Sequence, residues 1–127
     1  FVIGLTRARP HLYERINARV EAMFKAGLVD EVAALLAGGV GRDAPAMKGI
    51  GYRETAAYLA GEMGRAEAVA AIQTATRHFA KRQMTWYRRM PYIHWYDADE
   101  QTETQLLHAI LADVRAWRCN RERSAQA

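Results

Sequence analysis

The sequence predicts a mostly helical chain with two short strands, the C-terminal piece of a larger α/β protein. Only "FVIGL" (residues 1–5) and "YIHWYD" (92–97) have the apolar, β-branched and aromatic character of strands. The first is a continuous apolar run, the pattern of a strand buried on both faces, and such a strand needs neighbours on both sides. Two short strands do not hold a sheet alone, so the others are expected upstream of Phe1. Apolar residues recur at helical spacing through nearly all the rest.

Pro10 suits the first turn of a helix, in which Leu12, Ile16, Val20 and Met23 share a face with Phe24 beside them and Gly27 ends the run. Asp30 and Glu31 bring negative charge to the start of a second helix, where the dipole favours it. Leu28, Val32, Leu35 and Leu36 form its stripe. The glycines and Pro45 of "GGVGRDAPAMKGIG" mark a loop. "YRETAAYLAGE" is a short helix ending near Gly61, and a long helix runs from residue 66 to 90, where Pro91 stops it. After the second strand comes a helix over 102–117, and "RCNRERSAQA" forms a frayed tail. The expected organisation is therefore residues 1–97, a C-terminal helix over 98–118 and a disordered tail over 119–127.

The chain has 127 residues, a net charge of +4 and a pI near 9.5, with half its residues hydrophobic and a quarter charged. These values suit one globular domain or part of a larger one. Mild basicity favours an acidic partner without requiring one. Cys119 is the only cysteine, which excludes a disulfide framework and a cysteine metal cluster and fits a reducing cytosol. No apolar run approaches the roughly 20 residues of a membrane span, so no membrane partner is expected.

The long helix concentrates cations and rings in "ATRHFAKRQMTWYRR". At about 100° per residue, with Arg77 at zero, Lys81 falls at about 40° and Arg88 at about 20°. Arg82 and Arg89 form a second basic stripe at about 140° and 120°. Ile72, Phe79, Trp86, Tyr87 and Met90 occupy the opposite sector, the side expected to pack, and Gln83 lies among them. A buried amide there needs a partner, because leaving it unpaired costs about 1–3 kcal/mol. Two readings fit: an amphipathic helix with solvated basic edges, or a face that follows phosphates with aromatics nearby. Trp86 is expected in the core rather than as a stacking platform.

The loop "MKGIGYRE" adds a second basic element. Gly49 and Gly51 permit close backbone approach by a ligand. Lys48 and Arg53 bracket them, Tyr52 offers a ring, and the following helix begins with N–H groups expected to face an anion. The helical pattern alone is also compatible with a helix-turn-helix DNA reader. His11, His78, His94 and His108 are scattered, and no Walker A loop, metal-ligand cluster or Ser/His/Asp arrangement is present.

"RPHLYERINARVEAMFKAGLVDEV", "AMKGIGYRE" with "AYLAGE", and "TRHFAKRQMTWYRR" with "HW" resemble, in that order, the tRNA dimethylallyltransferases, also called tRNA isopentenyltransferases. The resemblance spans residues 1–97. It implies a P-loop kinase-like α/β core wrapped by helices. It also implies transfer of a dimethylallyl group from dimethylallyl diphosphate, with Mg²⁺, to N6 of the adenine on the 3′ side of the anticodon. The family's phosphate loop and aspartate base lie toward its N-terminus and have no counterpart in this sequence, so this chain alone is expected to be inactive, with no catalytic residue of its own.

What carries over is a surface for the tRNA anticodon stem-loop: Lys48, Gly49, Gly51, Tyr52 and Arg53 in the loop, and Lys81, Arg82, Gln83, Thr85, Trp86 and Arg88 on the helix. The family often has arginine where this chain has Lys48, which weakens a two-pronged phosphate grip. Arg19 and Arg15, one turn apart, are the candidates for contact with the diphosphate; a surface ion pair with Glu14 or Glu21 is the simpler role for both. A monomeric, cytoplasmic enzyme is expected at full length. The alternative is a non-catalytic helical nucleic-acid-binding module.

Overall fold

The structure, a computed structural model, describes residues 1–126. The chain divides into two compact units, one built from residues 1–12 with 85 onward and the other from residues 13–84.

The first unit holds the two expected strands. β1 (Val2–Thr6) pairs in parallel with β2 (Ile93–Asp97), Val2 opposite Ile93 and Thr6 opposite Asp97. Gly4 lies opposite Trp95, and a Cβ on Gly4 would fall 2.5 Å from Trp95 Cε3. The indole thus fills the space a side chain would need. The expected burial of β1 is not what the structure shows: Val2 and Ile3 are 44% exposed and Leu5 58%. Among the described residues only β2 pairs with it, and two strands cannot cover both faces of one another.

α5 (Glu103–Gln126) opens with a reciprocal cap, Gln105 N–H donating to Thr102 Oγ1 at 3.3 Å and Thr102 N–H to Gln105 Oε1 at 2.9 Å. It meets the sheet where Tyr96 donates to Asp113 at 2.6 Å and where Trp117 packs edge-on against Phe1, whose ring also stacks on His94. The tail expected over 119–127 is instead helical through Gln126; residue 127 lies outside the described residues. No glycine or proline interrupts residues 118–126, and the Arg121 guanidinium lies 5.1 Å over the Trp117 ring one turn back.

The first turn of α1 (Arg9–Lys25) also belongs to this unit and has no acidic residue of its own. Asp99 supplies that charge from the loop after β2. Its carboxylate accepts from Ala8 N–H and Arg7 Nη1, both at 2.7 Å, and from His11 Nδ1 at 3.0 Å. Partial burial pushes the Asp99 pKa up, but the Ala8 N–H, His11 and Arg7 outweigh it and hold it at about 2.

The second unit contains the remainder of α1, α2 (Leu28–Ala37), a 3-10 turn (Pro45–Lys48), α3 (Tyr52–Leu59) and most of α4 (Arg65–Tyr87). Gly27 adopts φ 106°, a left-handed conformation costly for any other residue, and breaks α1 from α2 as expected. The core takes Val20 and Phe24 from α1, Leu28 and Val32 from α2, Met47 from the 3-10 turn, Ala56 from α3, and Ala68 and Ile72 from α4. Small residues at positions 56, 57 and 68 let these helices approach closely. Asn17 ties α1 to α4: Arg77 Nη1 donates to its Oδ1 at 2.7 Å and Gln73 Nε2 to its carbonyl at 3.3 Å.

The long helix departs from expectation in three ways. It ends at Tyr87 rather than residue 90. The residue before a proline is held out of the α region, and Arg89 and Met90 close tighter turns onto the carbonyls of Trp86 and Tyr87. Its buried residues are Ala68 and Ile72 only, so Phe79, Trp86 and Tyr87 are exposed, Trp86 to 63%. Trp86 is therefore not a core residue among the described residues, and Gln83 is exposed rather than enclosed. No helix among the described residues is long and apolar enough to cross a membrane.

Candidate nucleic-acid interface

Residues 38–51 are fixed at several points. Gly39, at φ 88°, turns the chain after α2. Arg42 then grips Glu62 with both terminal nitrogens, at 2.5 and 3.0 Å, clipping the loop to the turn beyond α3. The pairing holds the Glu62 carboxyl below its usual range. The 3-10 turn drives Met47 into the core, 1% exposed, and leaves the adjacent Lys48 outside.

α3 starts directly after Gly51, which is buried and adopts φ 101°. Glycine has no side chain to cap a helix, so Glu54 reaches back instead and accepts from Gly51 N–H at 2.8 Å. The second Glu54 oxygen accepts from Arg53 Nε at 2.6 Å. Arg53 N–H and Thr55 N–H donate to the carbonyls of Gly49 and Gly51. Two of the N–H groups expected to face an anion, those of Gly51 and Arg53, are thus engaged within the protein. The Tyr52 hydroxyl donates to Glu31 on α2, and that bond, with the nearby negative charge and partial burial, raises the phenol pKa. The loop presents the exposed Lys48, the backbone around Gly49 and the outer nitrogens of Arg53, whose side chain is 55% exposed.

On α4, Lys81, Arg82, Gln83, Thr85 and Trp86 are all exposed. The Arg82 guanidinium lies 5.9 Å over the Phe79 ring. Arg77, grouped by angle with Lys81, is held by Asn17 and by Thr74 Oγ1 at 3.1 Å, which makes it a brace between helices. Arg88 and Arg89 sit in the turn after α4, so their positions are not the ones helical angles assign. Arg15 and Arg19 are exposed on successive turns of α1. Among the described residues neither forms an ion pair with Glu14, Glu21 or any other carboxylate.

Glu54 has no role assigned from the sequence, and Glu31 has only that of a charge at the start of α2. The three-residue spacing from Gly51 to Glu54 is that of a helix cap and could have exposed the first. No local pattern reveals the bond between Glu31 and Tyr52, which lie on different helices. No group of three or more His, Cys, Asp or Glu side chains among the described residues could hold a metal ion.

A sequence model described as IPP transferase matches residues 1–90. The chain belongs to the IPP transferase family. It is 44% identical over 116 residues to the tRNA dimethylallyltransferase of Alkaliphilus metalliredigens, covering 91% of this chain and 37% of that protein. With the tRNA dimethylallyltransferase of Desulforudis audaxviator it shares 50% identity over 99 residues, 78% of this chain and 32% of the relative. The chain thus spans roughly a third of the curated relatives it matches. The fold is similar to that of the tRNA isopentenylpyrophosphate transferase of Bacillus halodurans (TM-score 0.83, 35% identity, 95% of this chain and 41% of that one). The Staphylococcus epidermidis tRNA delta(2)-isopentenylpyrophosphate transferase is also similar (TM-score 0.86, 31% identity, 91% and 38%).

Proposed function

We propose that this chain is the tRNA-holding C-terminal part of a tRNA dimethylallyltransferase whose core has the P-loop kinase-like architecture wrapped by helices. The match of residues 1–90 to the family carries the reading, and the exposed cations of the loop and α4 support it. In the reaction, N6 of the adenine attacks C1 of the dimethylallyl group. The bond from C1 to the diphosphate oxygen breaks, diphosphate departs with the electron pair, and N6 loses a proton to a base. An aromatic amine is a weak nucleophile, so stabilising the departing diphosphate lowers the barrier.

Lys48 and Arg53, with Lys81, Arg82 and Arg88, hold the backbone of the anticodon stem-loop, and Gly49 admits it closely. Gln83, Thr85 and Trp86 border that contact. Arg19, with Arg15 one turn away, faces the diphosphate; both are exposed without an acidic partner among the described residues. Mg²⁺ would neutralise diphosphate charge, and the described residues offer no ligand set for it.

Mass spectrometry of tRNA incubated with dimethylallyl diphosphate, Mg²⁺ and the full-length protein should show a prenylated adenine beside the anticodon, and this chain alone should give none. Arg19→Ala in the full-length protein should lower turnover more than tRNA affinity. Absence of the modified adenine with the full-length protein contradicts the assignment, and unchanged turnover with weakened tRNA binding moves Arg19 to the RNA surface.

A further inference from the structure

We infer that Glu54 is a positioning residue that fixes the Arg53 guanidinium for an RNA phosphate, an inference that rests on the loop being an RNA contact. Glu54 is 7% exposed, an unusual place for a carboxylate. A buried charge is costly unless its oxygens are satisfied, and here each oxygen has one donor: Gly51 N–H at 2.8 Å and Arg53 Nε at 2.6 Å.

Capping alone does not require the charge, because glutamine at this helical position caps as well. Serving both donors needs two acceptor oxygens: glutamine has one, so it can accept from Gly51 N–H only by turning its NH2 group toward Arg53 Nε. The bond to Arg53 uses Nε, the guanidinium nitrogen least suited to reach outward. The two terminal nitrogens, which form the fork that matches a phosphate, have no partner among the described residues. One carboxylate therefore sets both the backbone turn at Gly51 and the direction of the adjacent guanidinium. Arg53 reaches the RNA already ordered, at no further cost in side-chain freedom.

The sign of one substitution separates this role from a passive one. A carboxylate near phosphates repels them, so if Glu54 only caps α3, Glu54→Gln removes that repulsion and tightens RNA binding. If Glu54 orders Arg53, Glu54→Gln weakens binding by about 2- to 12-fold, the ~0.5–1.5 kcal/mol that immobilising one flexible side chain costs. The test is titration of the full-length protein with an anticodon stem-loop RNA at several salt concentrations, using Glu54→Gln, Arg53→Lys, Arg53→Ala and Glu54→Gln combined with Arg53→Lys.

Arg53→Ala should weaken binding and lower the salt slope by about 0.7–0.9. Glu54→Gln should weaken binding with the slope unchanged. Arg53→Lys, which keeps the charge and loses Nε, should weaken it similarly, and adding Glu54→Gln should cause no further loss. Equal or tighter binding by Glu54→Gln, or losses that add in the double variant, overturns the inference while the RNA-contact reading stands. An Arg53→Ala protein that binds like the wild type overturns both. Arg53→Lys alters only an exposed side chain, so its comparison with wild type decides the matter even if Glu54→Gln misfolds: wild-type affinity refutes a directed guanidinium.

Discussion

Arg77→Ala separates a brace from a binding residue on a helix whose sequence gives every cation the same look. Arg77 donates to Asn17 Oδ1 at 2.7 Å and to Thr74 Oγ1 at 3.1 Å, so it joins α4 to α1. Hydrogen bonds from charged donors contribute about 1.5–3 kcal/mol, and residual water access at this partly buried pair places the loss nearer ~1–2 kcal/mol. Asn17 keeps its carbonyl contact with Gln73, so α1 should not detach. In a protein of a few hundred residues that loss lowers the melting temperature by roughly 2–6 °C. Arg77 is not assigned a phosphate, so the slope of log affinity against log salt for an anticodon stem-loop should not change. Thermal melts and salt-dependent titrations of the same full-length variant test both parts. A wild-type melting temperature with a shallower salt slope would refute the reasoning and place Arg77 on the RNA surface.

Met47→Ala should cost about 2–5 kcal/mol, measured by denaturant unfolding, because its side chain is 1% exposed and joins the 3-10 turn to the core. Gly4→Ala should destabilise the β1–β2 pair by about 1–3 kcal/mol and shift Trp95 emission, since the new methyl would meet Cε3 at 2.5 Å. Asp99 has a folded-state pKa of about 2 against an ordinary 3.8, so its contribution is fully present above about 4 and is lost as pH falls toward 2. The melting-temperature difference between wild type and Asp99→Asn should therefore shrink across that window.

Periodicity and punctuation carried much of the fold. Gly27, Pro10 and the stripes on α1 and α2 located those helices because each signal acts within a turn or two of itself. The two strands were legible by their apolar, aromatic composition, but their direct parallel pairing was not, because it joins segments from opposite ends of the sequence. Burial was less legible. Phe79, Trp86 and Tyr87 are large rings on one sector of α4, yet α4 buries only Ala68 and Ile72. Periodicity says which side of a helix is apolar, not how far along it a neighbour extends.

The site shows the same division. Lys48, Arg53, Lys81 and Arg82 were identifiable as cations in a glycine loop and on a helix, and all four are exposed. What organises them was hidden: Arg77 with Asn17 and Tyr52 with Glu31 are contacts between helices, separated by 60 and 21 residues. The frayed tail failed for a different reason. Its polar composition resembles a solvated end, but nothing between residues 118 and 126 breaks a helix.

The salt dependence of anticodon stem-loop binding by the full-length protein tests the central claim most directly, with Lys48→Ala and Lys81→Ala compared against wild type. Cations that hold phosphates release counterions, so each substitution should weaken binding for every substrate tRNA about equally and reduce the slope of log affinity against log salt by roughly 0.7–0.9. If both variants keep the wild-type affinity and slope, the loop and α4 are solvated basic faces and the account of this chain as the tRNA-holding part of the enzyme is wrong.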